Sequence, residues 1–330
     1  MNLDDASAGA DAARLIWDDA PEAESIRDPR TLTFARSMIE TSVAILRSSR
    51  GLIKKMIDRA AAGAEDLAVA QFQGIIEVIQ NADDVRATEV RFLLRKTIEG
   101  LQLLIVHNGS PVTCHNVLGM ALPYLTTKTE RTDQRGRFGI GLKTLKRISE
   151  SIAIHSAPYH FSGDQLRFDW VDPESPISGF YDPALDTMLV IKLNDTFNEN
   201  ELVEWFDAWQ DDGLLFLASV SRFRWCEFDG TTRKERALKF TEWTDARYNQ
   251  LHASVLELKT RRVDGPIDRW TIWRAKVTVP LNLHPAHKAR SETTDISIAL
   301  HRGNSRPGLF IGFRTSVTGT SQSRAFRHGY

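Results

Sequence analysis

Three short stretches of this 330-residue chain carry residue types whose spacing could do chemistry. The first is Glu77-Val-Ile-Gln-Asn81-Ala-Asp-Asp84. In a helix, at about 100° per residue, Glu77, Asn81 and Asp84 fall on one narrow stripe. Phe72, Ile75, Ile76, Val78, Ile79 and Ala82 occupy the opposite arc. Such a stripe also serves as the solvated face of an ordinary amphipathic helix, and periodicity alone does not separate the two cases. Facing a cleft, it has a definite chemistry. An Asn oxygen can ligate a hard cation such as Mg²⁺, which takes few protein groups and keeps positions for phosphate and water. A carboxylate one turn away can then orient or deprotonate an attacking water.

The second stretch is His107-Asn108-Gly109, which follows the apolar run Leu101–Val106. Asn-Gly is the strongest two-residue hairpin signal. Here Ser110-Pro111 and a helical stretch follow it, with no alternating return strand. The third is Gly136-Arg-Phe138-Gly139-Ile140-Gly141-Leu-Lys143-Thr144. Glycines at a helix start let backbone N–H groups approach an anion closely, and the helix N-terminus favours negative charge. The Gly-Lys-Ser/Thr ending of a Walker loop is absent, and no strand leads directly in as a Rossmann fingerprint requires. The polar segment 123–137, with Lys128 and Arg131, reads as a mobile loop able to act as a lid over phosphates.

Elements must position these groups. Residues 1–30 give weak structural signals and read as a frayed arm or a short docking helix. From Thr31 to Ala62 apolar residues recur at three and four, an amphipathic helix broken near Gly51. A second helix spans about 65–85. The period then becomes two: Val90, Phe92 and Leu94, and after Glu99-Gly100, Leu101, Leu103 and Ile105, read as paired strands. Thr113 is placed to cap a helix reaching Ala121. Strands follow at about 151–157, 165–170 and 187–193, then a helix from Glu199 to Ala208. The last hundred residues alternate repeatedly. Helices layered on a sheet indicate α+β, with an acidic arm at 1–30, a first unit at 31–225 and a β-rich unit at 226–330.

Composition narrows the class. Apolar residues at 42% and charged residues at 26% rule out a disordered chain or a fibrous repeat. A formal charge of −1 argues against bulk electrostatic attachment to nucleic acid or membrane. The balance is uneven, with eight acids against three arginines in residues 1–30 and twelve Lys/Arg against four Asp/Glu in 261–330. Cys114 and Cys226 make neither a disulfide framework nor a metal site, so a reducing, cytoplasmic setting is expected. His284 and His287 lack the companion ligands of a metal centre. Phe223-Arg-Trp225 and the pair Trp270/Trp273 suit a sheet core better than base stacking.

Taken in order, the three stretches resemble the GHKL ATPase superfamily. QFQGIIEVIQNADD, VHNGSPVT, TTKTE and GRFGIGLKTL are most similar to its sacsin-like branch, over about residues 65–220. The resemblance implies a Bergerat fold, a two-layer α/β sandwich with a mixed sheet and helices on one face, followed by a smaller β-rich unit. It implies ATP and Mg²⁺ as ligands. Glu77 would activate water, Asn81 would hold the metal, and Asp84 would support the nucleotide pocket. Gly136, Phe138, Gly139, Ile140 and Gly141 would wrap the phosphates, with Lys128 from the lid, and Thr187 would touch the base. The family usually reads the adenine amine with an Asp in Asp-x-Gly-x-Gly, and His107-Asn108-Gly109 stands there instead. A neutral His or an Asn carbonyl can each accept from that amine.

The implied function is Mg-ATP hydrolysis driving conformational change in a chaperone-like or remodelling role on a protein client. The alternative is an ATP-gated clamp or regulatory module with little turnover, acting on nucleic acid through basic residues 261–330 or on a protein partner, in bacterial defence by family analogy. A homodimer is a further expectation, and no membrane partner is. Lys276 and Lys288 are candidates for reaching the γ-phosphate from the second unit.

Overall fold

A computed structural model describes residues 6–27, 30–48, 72–121, 145–163, 168–195, 197–208, 217, 219–228, 233–245, 254–262, 267–278, 293–301 and 309–314. The chain divides into two compact units. The first comprises 1–127, 138–197 and 226–234, and the second 128–137, 198–225 and 235–330. The acidic N-terminal segment belongs to the first unit, and residues 198–225 group with the second.

In the first unit the described helices are α1 (Ala6–Trp17), α2 (Leu32–Ser48), α3 (Gln73–Asp84) and α4 (Cys114–Ala121), with a 3-10 turn at Pro21–Ser25. The strands are β1 (Glu89–Thr97), β2 (Gly100–His107), β3 (Ser149–Ser156), β4 (Tyr159–Ser162) and β5 (Thr187–Leu193), joined by β6 (Arg222–Phe228), of which 226–228 fall in this unit. Their order, β6-β1-β2-β5-β3-β4, makes a six-stranded sheet, and with the helices an α+β fold.

The paired strands expected at 90–105 form an antiparallel hairpin, Val90 opposite His107 and Thr97 opposite Gly100. β2 then pairs antiparallel with β5, which pairs antiparallel with β3. Directly opposed residues share a face. One face therefore carries Phe92, Leu103, Ile105, Leu189, Ile191, Ile152 and Ile154, every one of them buried. The opposite face joins Leu93, Leu104, Val106, Met188 and Val190 to Phe180, Tyr181 and Cys226 in one apolar cluster, with no helical residue among the described ones. Arg91 pins this cover, donating to the Phe180 carbonyl at 2.6 Å and pairing with Asp186 at 2.5 Å. Both charged side chains are nearly buried, so losing either partner would strand a charge.

One expectation resolves and one needs correction. Of the two readings of the N-terminal segment, the docking helix holds: α1 packs on α2 through Ala8, Gly9, Ala12 and Ala13, all buried. Small side chains allow this approach, and a Cβ on Gly9 would lie 2.3 Å from the Phe34 carbonyl oxygen. The large apolar residues of α1, Leu15, Ile16 and Trp17, stand together at the C-terminal end and set up no repeating stripe. The strand expected at 165–170 is absent from the described part of that stretch, where Phe168 and Asp169 are irregular and Trp170 makes a single bridge to Phe161. β4 lies earlier, at 159–162, after a tight turn at Ala157-Pro158.

Other expectations match. Thr113 caps α4, its hydroxyl accepting from the Asn116 N–H at 3.4 Å and donating to the Asn116 side chain at 2.8 Å. In the second unit α5 spans Glu199–Ala208. Asn198 caps it by accepting from the Asn200 N–H, and Glu199 and Glu201 favour its positive end. Phe206 of α5 stacks on Trp225 at 4.1 Å, and Phe223 and Trp225 are buried. These aromatic rings form core rather than a base-stacking surface. An antiparallel meander follows, with β7 (Arg233–Asp245), β8 (Ser254–Arg262), β9 (Ile267–Thr278), β10 (Thr293–His301) and β11 (Leu309–Arg314).

Candidate functional site

α3 presents its apolar arc to the interior, with Ile75, Val78, Ile79 and Ala82 buried. Glu77, Asn81 and Asp84 are half-buried, as a stripe at the edge of a core would be. Gln80, beside them, is buried, and its Oε1 finds no hydrogen-bond partner among the described residues. The helix is held tightly at its start, where a Cβ on Gly74 would meet the Leu145 backbone nitrogen at 2.7 Å.

Its other end is built as a Schellman cap. The Ala87 N–H donates to the Ala82 carbonyl at 2.9 Å and the Arg86 N–H to that of Asp83 at 3.0 Å. Arg86 adopts φ +61°, the left-handed conformation that this motif requires. Against this cap lies the turn after β2. Ser110 N–H donates to the Val85 carbonyl at 2.9 Å. A Cβ on Gly109 would stand 2.6 Å from a Val85 methyl and 2.9 Å from the Val85 oxygen, so glycine is needed for the approach itself. The Asn-Gly step is thus a junction between β2 and the end of α3.

Asn108 knits this junction. Its Oδ1 accepts the backbone N–H groups of Thr88 and Glu89 at 2.9 and 3.0 Å, and its Nδ2 donates to the Thr88 hydroxyl at 2.8 Å. Both lone pairs of that oxygen are used. Asn108, expected as an acceptor for a base amine, here spends its acceptor on the backbone of 88–89. Asn108→Ala should lower unfolding stability by about 1 kcal/mol, because these exposed donors then turn to water in place of the Asn108 oxygen. Chemical denaturation of the two proteins checks this.

His107 ends β2, opposite Val90 on β1 and Thr187 on β5. It is buried, and its Nδ1 accepts the Gly109 N–H at 3.2 Å. Burial, and secondarily the nearby Arg91 charge, lowers its pKa from the usual 6.5 to about 4, so the ring is neutral at pH 7. Thr187 is buried as well, its hydroxyl 2.7 Å from that of Ser156. Ser156 Oγ also accepts the Val112 N–H at 2.9 Å, and Arg30 donates to the Val112 carbonyl at 2.8 Å. The segment from 108 to 112 is therefore fastened to α3, to β3 and to Arg30.

The structure thus brings together the C-terminal end of α3, His107, Asn108, Gly109 and Thr187. Lys128, Gly136, Phe138, Gly139, Ile140 and Gly141 lie outside the described residues, as does Lys288. Ser156 and Gln80 were not singled out by sequence. No motif marks a serine whose role depends on strand register, and Gln80 looks like one more polar residue on a helix. Among the described residues no group of three or more His, Cys, Asp or Glu is placed to hold a metal ion. No described helix is long and apolar enough to cross a membrane.

No family model matches the chain. Partial similarity exists to two very long proteins. Sacsin of Homo sapiens is 29% identical over 140 residues, 37% of this chain and 3% of sacsin. Protein NO VEIN of Arabidopsis thaliana is 30% identical over 95 residues, 27% of this chain and 3% of that protein. A sacsin-like region is thus present at low identity, and the chain spans only a few per cent of the length of these relatives.

Proposed function

We propose that the first unit is a GHKL-type nucleotide-binding unit of Bergerat topology that binds a Mg²⁺-complexed purine nucleoside triphosphate, ATP by the resemblance, and hydrolyses it to drive a conformational change in a chaperone-like role. The observation that carries the reading is the junction itself. The polar stripe of α3 ends where the His107-Asn108-Gly109 turn is bolted on through Val85, with Thr187 alongside in register. The partial sacsin-like similarity supports the same reading.

The donor set suits the ligand. Asn81 offers a half-buried hard oxygen one turn from Glu77, and Gln80 adds a buried acceptor without a partner among the described residues. Asn81 would hold Mg²⁺ through its amide oxygen, and the ion when bound supplies charge neutralisation across the phosphates. Glu77 takes the proton of the attacking water, and Asp84 braces the pocket at the junction. The fastened segment 108–112 fixes the position of the base end without reorganisation on binding. The glycine-rich stretch and Lys128 serve the phosphates. Asn81→Ala is the direct test of binding. Calorimetric titration with ATP should show an affinity gain on adding Mg²⁺ in the native protein, and the variant should lose most of that gain. An unchanged Mg²⁺ dependence removes the ligand role from Asn81.

A further inference from the structure

One row of the first unit's sheet carries a second constellation, independent of nucleotide binding. His155 on β3 stands opposite Met188 on β5 and opposite His160 on β4. Directly opposed residues hold their Cβ atoms about 4.5–5.5 Å apart on a shared face, so Met188, His155 and His160 are neighbours in one line. All three are buried. The two histidine rings meet through their Nδ1 atoms at 3.2 Å, with centroids 5.4 Å apart and planes tilted by 46°.

A hydrogen bond explains this contact only if the two rings adopt opposite tautomers. One such bond offsets little of the cost of burying two imidazoles, and an apolar pair would pack there without that cost. The same separation suits a shared metal ion. Two nitrogens bound at about 2.0–2.1 Å with trigonal or tetrahedral angles stand about 3.3–3.6 Å apart. If the donating ring moves its proton from Nδ1 to Nε2 through solvent, both Nδ1 lone pairs are free for the ion. Both rings stay neutral, so no net proton is released.

The donor set selects the ion. Structural zinc takes four protein ligands, commonly with cysteine. Among the described residues no carboxylate or thiol completes the histidine pair to a set of three. Nothing there offsets the charge of a divalent ion, and the Arg95 guanidinium acts on His155 as a further positive charge. Two imidazoles with a thioether suit a soft, monovalent ion. We propose that His155, His160 and Met188 form a Cu(I)-binding site near the edge of the first unit's sheet. β4 ends the sheet order and is only four residues long, so local opening of one short strand gives the ion its route in.

Anaerobic competition of the full chain with the Cu(I)–bicinchoninate complex tests this. The protein is expected to withdraw an equimolar amount of Cu(I). Met188→Leu keeps volume and removes the sulfur, and should weaken binding by about tenfold or more. His160→Phe should weaken it by about a hundredfold or more, since losing a ligand costs no less than losing a group behind one. X-ray absorption at the copper edge of the native protein needs no variant. It should show two nitrogen neighbours at about 2.0 Å and one sulfur at about 2.3 Å. Absence of Cu(I) transfer, or affinity unchanged in His160→Phe, overturns the proposal. A sulfur-only shell also overturns it, by assigning the copper to Cys114 or Cys226. None of these outcomes bears on nucleotide binding.

Discussion

Replacing Glu77 with Gln is expected to cut phosphate release by roughly 10²–10⁴ while nucleotide affinity stays within a few-fold. The substitution keeps size and half-burial on α3 and removes only the ability to accept a proton. If Glu77 merely solvated a helix face, its loss would change nothing in turnover. Losing a true general base instead removes stabilisation made only in the transition state, so the rate should fall with binding intact. Single-turnover phosphate release beside equilibrium binding gives both readouts, and equal rates in the two proteins would end the assignment.

The second large effect is acid destabilisation of the first unit between pH 6.5 and 5. Two buried histidines have folded-state pKa values lowered to about 4, His107 by burial and the Arg91 charge, and His155 by burial, His160 and Arg95. The unfolded chain titrates near 6.5, so below that pH it binds protons that the folded state refuses. Stability is therefore fully present above 6.5 and falls as pH drops toward 4. Each histidine contributes a loss of about 2 kcal/mol by pH 5. The geometry at His155 explains why it resists protonation. Its Nδ1 lies 3.2 Å from His160 Nδ1, and one ring must donate while the other accepts. His160 is shifted down in the same direction by burial. Against a typical total of 5–15 kcal/mol, a loss of about 4 kcal/mol would show as a pronounced drop in urea midpoint between pH 7 and 5. His155→Phe should flatten part of that slope, because an apolar ring there needs no proton-poor state.

Sequence foretold the elements whose side chains repeat regularly. The β1–β2 hairpin, the Thr113 cap and the bounds of α5 all follow from period and capping chemistry, which act within a few residues. For α1 sequence left two readings open, a frayed arm or a docking helix, because its buried residues are Ala and Gly, which carry no hydrophobic periodicity. Its role follows from close backbone approach, which is a property of two helices together. The stripe of Glu77, Asn81 and Asp84 was legible from helical geometry. The fates of His107 and Asn108 were not. Both sit in a motif that reads as two acceptors, and it takes the tertiary contacts to Gly109, Thr88 and Glu89 to show that those acceptors are occupied. Ser156 depended on register between β3 and β5, which a single sequence does not fix.

The cap at Arg86 has a consequence for how this protein can change. A branched or long side chain held at φ +61° costs about 1 kcal/mol, and glycine would adopt the same shape without strain. Arg86→Gly should therefore raise the denaturation midpoint. The native chain forgoes that gain at the junction between α3 and the β2 turn. A glycine there would also free the unfolded chain and widen the conformations available to the junction. The arginine trades resilience for a narrower joint, so a laboratory search for hardier variants should recover position 86 early.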